Sequence, residues 1–441
     1  MQIIINNEDD LSSIINNMKN RRDETEKDLR SSVELILRDV RENGDRAVRK
    51  YEIKYGGICA DPFSVSYEEM KNAFNNSDEA FKVALVRAAD NIREYHEKQI
   101  EKSYEIEKKD GSLVGQVIRG LARVGIYVPG GTAAYPSTVL MNTIPAKLAK
   151  VGEIIMLSPP EIIKKSDGSL FCRANPDILT AAYIAGVDRV FLAGGAQAVG
   201  AMAYGTESIP PVDKIVGPGN IYVATAKRIV YGHVDIDMTA GPSEILIISD
   251  GSAEPRFAAA DLLSQAEHDP MAAAVLVTTD EDFAKKVLEQ LDEQLEKLNR
   301  KEIIRESLNN YGLIVVCGSA DEMIDIANEI APEHLEIMTS DPMTIFAGIK
   351  NAGSVFLGPY SPEPLGDYYS GTNHVLPTMG TARFASPLGV YNFTKKMSYT
   401  YYTKEALGFC AGDILEIAGR EGLEAHARSV SARFCEKDGI E

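Results

Sequence analysis

Residues 122–137, ARVGIYVPGGTAAYPS, decide the fold: a short β-branched run ends in a Gly/Pro turn of small residues, and a helical pattern follows. The unit returns at EIIMLS (153–158), RVFLAG (189–194) and KIVG (214–217). A second series comprises SEILIIS (243–249), AAVLVTT (273–279), GLIVVCG (312–318), HLEIMT (334–339) and SVFLG (354–358). Strand, glycine turn and helix in repetition mark parallel βαβ units, because parallel neighbours need a crossover. Two open α/β sheets are the economical reading. Outward from them, apolar residues at three- and four-residue spacing from about Asp23 to Gln99 predict helices, with charges at the remaining positions. His96, on such a charged helix, is expected to be solvated. After Pro387 the alternation gives way to a Tyr-rich stretch and then helices.

With 441 residues the chain is long enough for roughly two to four domains. Its 44% hydrophobic content is that of a globular protein with a sizeable core. Lys+Arg number 46 against Asp+Glu 65, a net charge of -19, and there is no local basic stripe to grip nucleic acid or an anionic membrane. The start, MQIIINNEDD, does not read as a leader, and no run nears the ~20 apolar residues that span a bilayer. A cytoplasmic protein is expected. Cys59, Cys172, Cys317, Cys410 and Cys435 are scattered and form no CxxC, so reduced packing residues are expected, with Cys317 the most buried. Any metal must then be held by His, carboxylate or amide.

The first series carries three glycine turns, VPGGTAAYPS (128–137), AGGAQAVGA (193–201) and GPGNIYVATAK (217–227), none of which fits GxGxxG. At strand ends before helices, their backbone N–H groups could receive phosphate, and Tyr127, Gln197 and Asn220 stand beside them. Each turn alone reads more readily as a tight connection than as a cofactor cradle, whereas three of them at the ends of successive strands point to a nucleotide-sized ligand. In DLLSQAEHDP (261–270), Gln265 and His268 are three apart at a helix end, a metal-ligand spacing that a polar cap would also explain. Asp367 and His374 share the loop-like PLGDYYSGTNH (364–374), and His426 follows Glu421 by five residues in EGLEAHARSV (421–430). Nitrogen and oxygen ligands of these kinds suit zinc, although an amide is an uncommon ligand. Glu333-His334 in APEHLEI (331–337) stands at a sheet edge, where an imidazole can exchange protons and a carboxylate can orient it or activate water. His233 is read as a plain loop histidine.

These residues resemble the L-histidinol dehydrogenase family from about residue 25 to the C-terminus, in VGIYVPGG, GGAQAVGAMAYGT, VGPGNIYVATAK, DMTAGPSEILII, DLLSQAEHDP, APEHLEI, SGTNHVLPT and EGLEAH. The resemblance implies a zinc enzyme of the last steps of histidine biosynthesis, a four-electron alcohol dehydrogenase using two NAD and one water. Histidinaldehyde would stay bound between the two oxidations. It implies one Zn2+ per subunit on Gln265, His268, Asp367 and His426. His334 would be the base that removes the hydroxyl proton, and Glu333 the residue that activates water. Ser243, His374 and Glu421 would contact substrate, joined by His334 and the four metal ligands. Tyr127, Gln197 and Asn220 would contact NAD.

The implied fold has two incomplete Rossmann-like sheets with helical extensions at both termini. Its expected boundaries are a helical extension over 1–22, a first α/β domain over 23–126 and 245–387 with most of the metal and catalytic residues, an NAD domain over 127–244, and a swapped segment over 388–441. The family is a homodimer in which the swapped segment, with Glu421 and His426, completes the partner's site. Two alternatives stay open. One is a paralogue acting on another small polyol or a sulfonated diol, against which Glu421 and the intact SGTNHVLPT stand. The other is a non-catalytic zinc scaffold, which would need neither Glu333-His334 nor the nucleotide turns.

Overall fold

The computed structural model describes residues 1–5, 15, 26–130, 134–238 and 241–434. The chain divides into two compact units, Met1–Gln99 with Leu121–Phe393, and Ile100–Gly120 with Thr394–Glu441. In chain order the first 120 residues give β1 (Gln2–Ile5), α1 (Glu26–Gly56, broken at Gly44), β2 (Ser64–Val65), α2 (Tyr67–Asn76), α3 (Glu79–Glu97), β3 (Tyr104–Glu107) and β4 (Leu113–Gly120). The first series then gives β5 (Arg123–Tyr127), α4 (Pro136–Leu148), β6 (Glu153–Ser158), the hairpin β7 (Glu161–Lys164) and β8 (Leu170–Arg173), α5 (Pro176–Ala185), β9 (Arg189–Leu192), α6 (Gly195–Tyr204), β10 (Lys214–Val216), α7 (Ile221–Val230) and β11 (Asp235–Ile236). These strands make a sheet of order β11-β10-β5-β6-β9-β2, parallel but for the edge strand β2.

Both faces of this sheet are covered, as a parallel sheet requires. Along β6, Ile154 and Met156 point into a core shared with α4 and α5, whereas Ile155 and Leu157 point into a core shared with α1 and α6. Local chemistry sets the helix ends. Asn175 caps α5 through Asp177 N and Ile178 N, and Gly186 ends it at φ 80, in the left-handed region glycine tolerates.

The second series gives β12 (Glu244–Ser249), α8 (Pro255–Ala266), β13 (Ala273–Thr278), α9 (Glu281–Leu295), α10 (Lys301–Tyr311), β14 (Gly312–Val316), α11 (Ala320–Ile330), β15 (His334–Met338), α12 (Pro342–Phe346) and β16 (Ser354–Leu357). Its sheet is wholly parallel, β1-β14-β13-β12-β15-β16. Ile245 and Ile247 face the α8 and α9 side, and Leu246 and Ile248 face the α11 side. All nine strands read from the sequence are present, in two open sheets. After β16 come α13 (Glu363–Tyr368), β17 (Thr394–Tyr401), α14 (Lys404–Arg420) and α15 (Glu424–Ser431). In the second unit β17 pairs antiparallel with β4, which pairs with β3.

Several expectations need correction. Gln2–Ile5 is a strand paired with β14, not helix, because Ile3, Ile4 and Ile5 extend a sheet edge. The rest of 1–22, Ile15 apart, lies outside the described residues, as does Cys435. The 26–97 helices pack on the β5-β6-β9 sheet and its helices, not with the second series. Residues 100–120 form a sheet with 394–401 in the smaller unit.

His96 is fully buried, not solvated. It continues the apolar face of α3 through Leu85, Ala88, Ala89 and Ile92, a spacing that the surrounding charges conceal. Its Nδ1 is 2.8 Å from Ile92 O and its Nε2 is 3.3 Å from Asn373 Nδ2, and burial lowers its pKa. Cys317 is buried as expected, its thiol pushed up to about 12 by desolvation, and the four described cysteines are free.

Candidate active site

Tyr127, Gln197 and Asn220 line one cavity of about 420 Å³, at the carboxyl edge of the β10-β5-β6-β9 strands. Elementary physics explains their placement. Tyr127 ends β5, is 3% exposed, and its hydroxyl accepts from Gly195 N at 3.1 Å; burial raises its pKa to about 12. Gln197, in the first turn of α6, donates from Nε2 to Glu52 Oε1 at 2.8 Å. Asn220 caps α7 by accepting from Tyr222 N and Val223 N. The turns are tight: Gly217 sits at φ +109, and a Cβ there would lie 2.1 Å from Tyr127 O. Beneath it the buried Lys227 pairs with Asp237, whose other oxygen accepts from Gly217 N at 2.8 Å.

Several N–H groups of these turns are already engaged within the fold. Gly194 N and Gly195 N go to Glu52 and Tyr127, Gly217 N to Asp237, and the first N–H groups of α7 to Asn220. At those positions the cradle expected for phosphate is already partly filled by protein groups. Glu52, Tyr127 and Asp237 reach three of these N–H groups from other elements, which the local sequence does not reveal.

A second cavity, of about 160 Å³, gathers Ser243, Gln265, His268, Glu333, His334, Asp367 and His374. It lies at the amino ends of β12 and β15, the edge opposite to where open α/β sheets most often bind ligands. Gln265 comes from the last turn of α8, and His268 lies two residues beyond its end. Asp367 lies on α13; the expected loop is in part a short helix, because Pro362 precedes a turn that Pro364 can enter without an N–H. His374 Nδ1 is 3.2 Å from Asp367 O and 3.7 Å from its carboxylate, and its Nε2 is 3.5 Å from Thr138 Oγ1.

Glu333 and His334 are held by one residue. Glu244 N donates to Glu333 Oε2 at 2.9 Å, and Glu244 O lies 3.0 Å from His334 Nδ1. That carbonyl can only accept, so Nδ1 carries the proton and Nε2 presents its lone pair to the cavity. Nε2 is buried without a partner, 3.7 Å from Glu363 Oε1. Burial pulls the imidazole down to about 4, with Asp367 opposing, so it is neutral and able to accept a proton. Burial drives the Glu333 carboxyl well up, opposed by the Glu244 N–H.

Glu363 and Glu244 were not found from the sequence. Glu363 precedes Asp367 by four residues, so both share one helical face, a signal that only the helix assignment exposes. Desolvation, with Asp367 next, raises Glu363 to about 9. Below it the buried Glu336 bonds to Asp261, and burial raises both carboxyls. Gln265 Oε1, Glu363 Oε1 and His334 Nε2 are buried without hydrogen-bond partners, and ligand atoms of His334, Glu363 and Asp367 lie within 4.8 Å of one another. Only Asp367 of that cluster belongs to the expected zinc set. Unpartnered oxygen and nitrogen atoms of an amide, a carboxyl and an imidazole, converging in one buried place, suit a cation. Glu421, at the α14 C-terminus, and His426, on α15, belong to the smaller unit and are exposed. His233 is exposed against Tyr204, and its plain reading stands.

The family described as Histidinol dehydrogenase matches residues 19–434. The Histidinol dehydrogenase of Clostridium acetobutylicum is 52% identical over 417 residues, 95% of each chain. That of Caldanaerobacter subterraneus subsp. tengcongensis is 54% identical over 423 residues, 96% of each. The crystal structure of Histidinol Dehydrogenase from Elizabethkingia anophelis superposes with a TM-score of 0.90 at 39% identity, covering 98% of each chain. The class is thereby an enzyme, an NAD-dependent oxidoreductase. Within it, the chain belongs to the histidinol dehydrogenase family.

Proposed function

We propose that the protein oxidises L-histidinol to L-histidine through bound histidinaldehyde, with two NAD, one water and one Zn2+ per subunit, as the last steps of histidine biosynthesis in the cytoplasm. The observation that carries this reading is one cavity holding Gln265, His268 and Asp367 beside Glu333-His334, in a chain of this family. No described helix is long and apolar enough to cross a membrane.

Gln265, His268 and Asp367 would hold the zinc, with His426 as the fourth ligand, and the unpaired Gln265 Oε1 supports that fit. When bound, the metal would anchor the substrate's nitrogens, and NAD would accept the hydride. The chain's own work is proton handling and orientation. His334 Nε2 takes the hydroxyl proton as hydride leaves the same carbon, giving the aldehyde. Glu333 takes a proton from water as its oxygen adds to the aldehyde carbon; the hydrate anion gives up a second hydride to leave the carboxylic acid, which ionises to the carboxylate with its proton passing to solvent. Ser243, His374 and Glu421 would hold the substrate, the carboxylate pairing with its ammonium group.

Because His426 and Glu421 lie in the exposed smaller unit, the reading includes a homodimer with shared sites. Phe409 at 81% exposure and Ile417 at 60% on α14 are apolar surface that a second copy would cover. The test is purified protein with histidinol, NAD and zinc, followed by product analysis before and after chelation. Histidine should form and should stop forming when the metal is removed. Turnover of sulfonated diols alone, or full activity in metal-free protein, would overturn the reading.

A further inference from the structure

Glu52 has no part in the chemistry described so far. It lies on α1, is 6% exposed, and lines the 420 Å³ cavity. Its Oε1 accepts from Gly194 N at 2.9 Å and from Gln197 Nε2 at 2.8 Å, which places the carboxylate across the start of α6. Burial raises the Glu52 carboxyl, and the two donors, Gly194 N and Gln197 Nε2, with the helix N-terminus oppose that and favour the carboxylate. Its Oε2 has no hydrogen bond among the described residues. The described cavity wall contains no Lys or Arg, and Glu52 is its only carboxylate.

The course of a dinucleotide can be read from the turns the two cavities share. Pro129, Gly130, Asn220 and Tyr222 line the larger cavity, and Tyr135, Gly217 and Pro218 line the smaller one. The turns after β5 and β10 thus join the cavities, so the reacting nicotinamide end belongs there. Glu52 sits at the turn after β9, two strands further along the sheet and about 10 Å away at ordinary strand spacing. That is the adenosine end. An acceptor there fits the vicinal hydroxyls of a ribose, and a phosphate at that position would need a cation that the cavity does not supply.

We propose that Glu52 is a specificity-determining residue, whose carboxylate receives the adenosine ribose hydroxyls of NAD and excludes the 2′-phosphate of NADP. The inference rests on the reading of the larger cavity as the cofactor site. The test is calorimetric titration of the substrate-free protein with NADH and NADPH. Wild-type protein should bind NADPH at least about tenfold more weakly, and Glu52→Gln should narrow that ratio at least about fivefold. A structural role alone would weaken both nucleotides equally. An unchanged ratio in the variant, or equal binding by the wild type, overturns the proposal.

Tyr222→Glu, on the exposed wall of the same cavity, separates the two readings by setting a charge against any anionic cofactor. If it weakens both nucleotides while Glu52→Gln leaves the ratio unchanged, only the role of Glu52 fails. If neither variant changes binding, the cofactor site itself is misplaced and the proposal falls with it. Should Glu52→Gln fold poorly, adenosine 5′-monophosphate and adenosine 2′,5′-bisphosphate titrated into the wild type carry the test. The bisphosphate must bind more weakly, and equal or tighter binding contradicts the proposal.

Discussion

His334 concentrates the chemistry at the scale of single residues. Its Nδ1–H is fixed by the Glu244 carbonyl, so the proton acceptor is Nε2, and the groups assigned to the metal are other residues. Replacing His334 by Asn should cut turnover by about a hundredfold or more while leaving the zinc content intact. Metal analysis beside the steady-state rate checks this, and loss of zinc in the variant would give His334 a ligand's role instead. The Glu333-His334 pair was legible as adjacent acid and imidazole, and their convergence on one cavity follows from both preceding or opening β15. His96 was not legible, because its burial depends on its phase on α3, and its contact with Asn373 spans 277 positions. Glu52 and Glu244 were hidden for the same reason: their roles are hydrogen bonds made across the fold, which no local motif records.

At the scale of elements, the GPGN turn shows how the framework holds the site. Gly217 needs both a positive φ and the missing Cβ, because Tyr127 O occupies that space. Gly232, at φ +96 with nothing within 4 Å, has only the first requirement. Substituting Ala at Gly232 should therefore cost about 1–3 kcal/mol through backbone strain, and Gly217→Ala distinctly more. Urea unfolding of both variants checks this, and equal losses would mean that the turn relaxes away from β5. The strands and most glycine turns were readable because β-branched runs between Gly and Pro have few alternatives. What the turns do with their N–H groups was not readable, since Asp237, Glu52 and Tyr127 reach them from other elements.

At the scale of the molecule, the chain builds two open sheets that contain all nine anticipated strands and three unanticipated edge strands, β1, β2 and β11, and a smaller unit whose composition crosses the expected boundaries. Pairing of 113–120 with 394–401 joins segments far apart in the chain, and neither segment has a strong apolar alternation to announce it. The expected set of zinc ligands likewise divides, with Gln265, His268 and Asp367 in one cavity and His426 exposed in the smaller unit. Shared sites in a homodimer would unite them. Mixing inactive His334→Asn and His426→Asn chains through partial unfolding and refolding should then restore activity, up to about one quarter of wild type for random pairing. No recovery would mean that each chain completes its own site.

The central claim is a double oxidation on one protein, alcohol to aldehyde to carboxylate without release. Counting NADH formed per histidinol consumed, under limiting substrate with zinc present, tests it most directly. The account predicts about two NADH per histidinol with histidine as product, and a ratio of one with free aldehyde accumulating would contradict it.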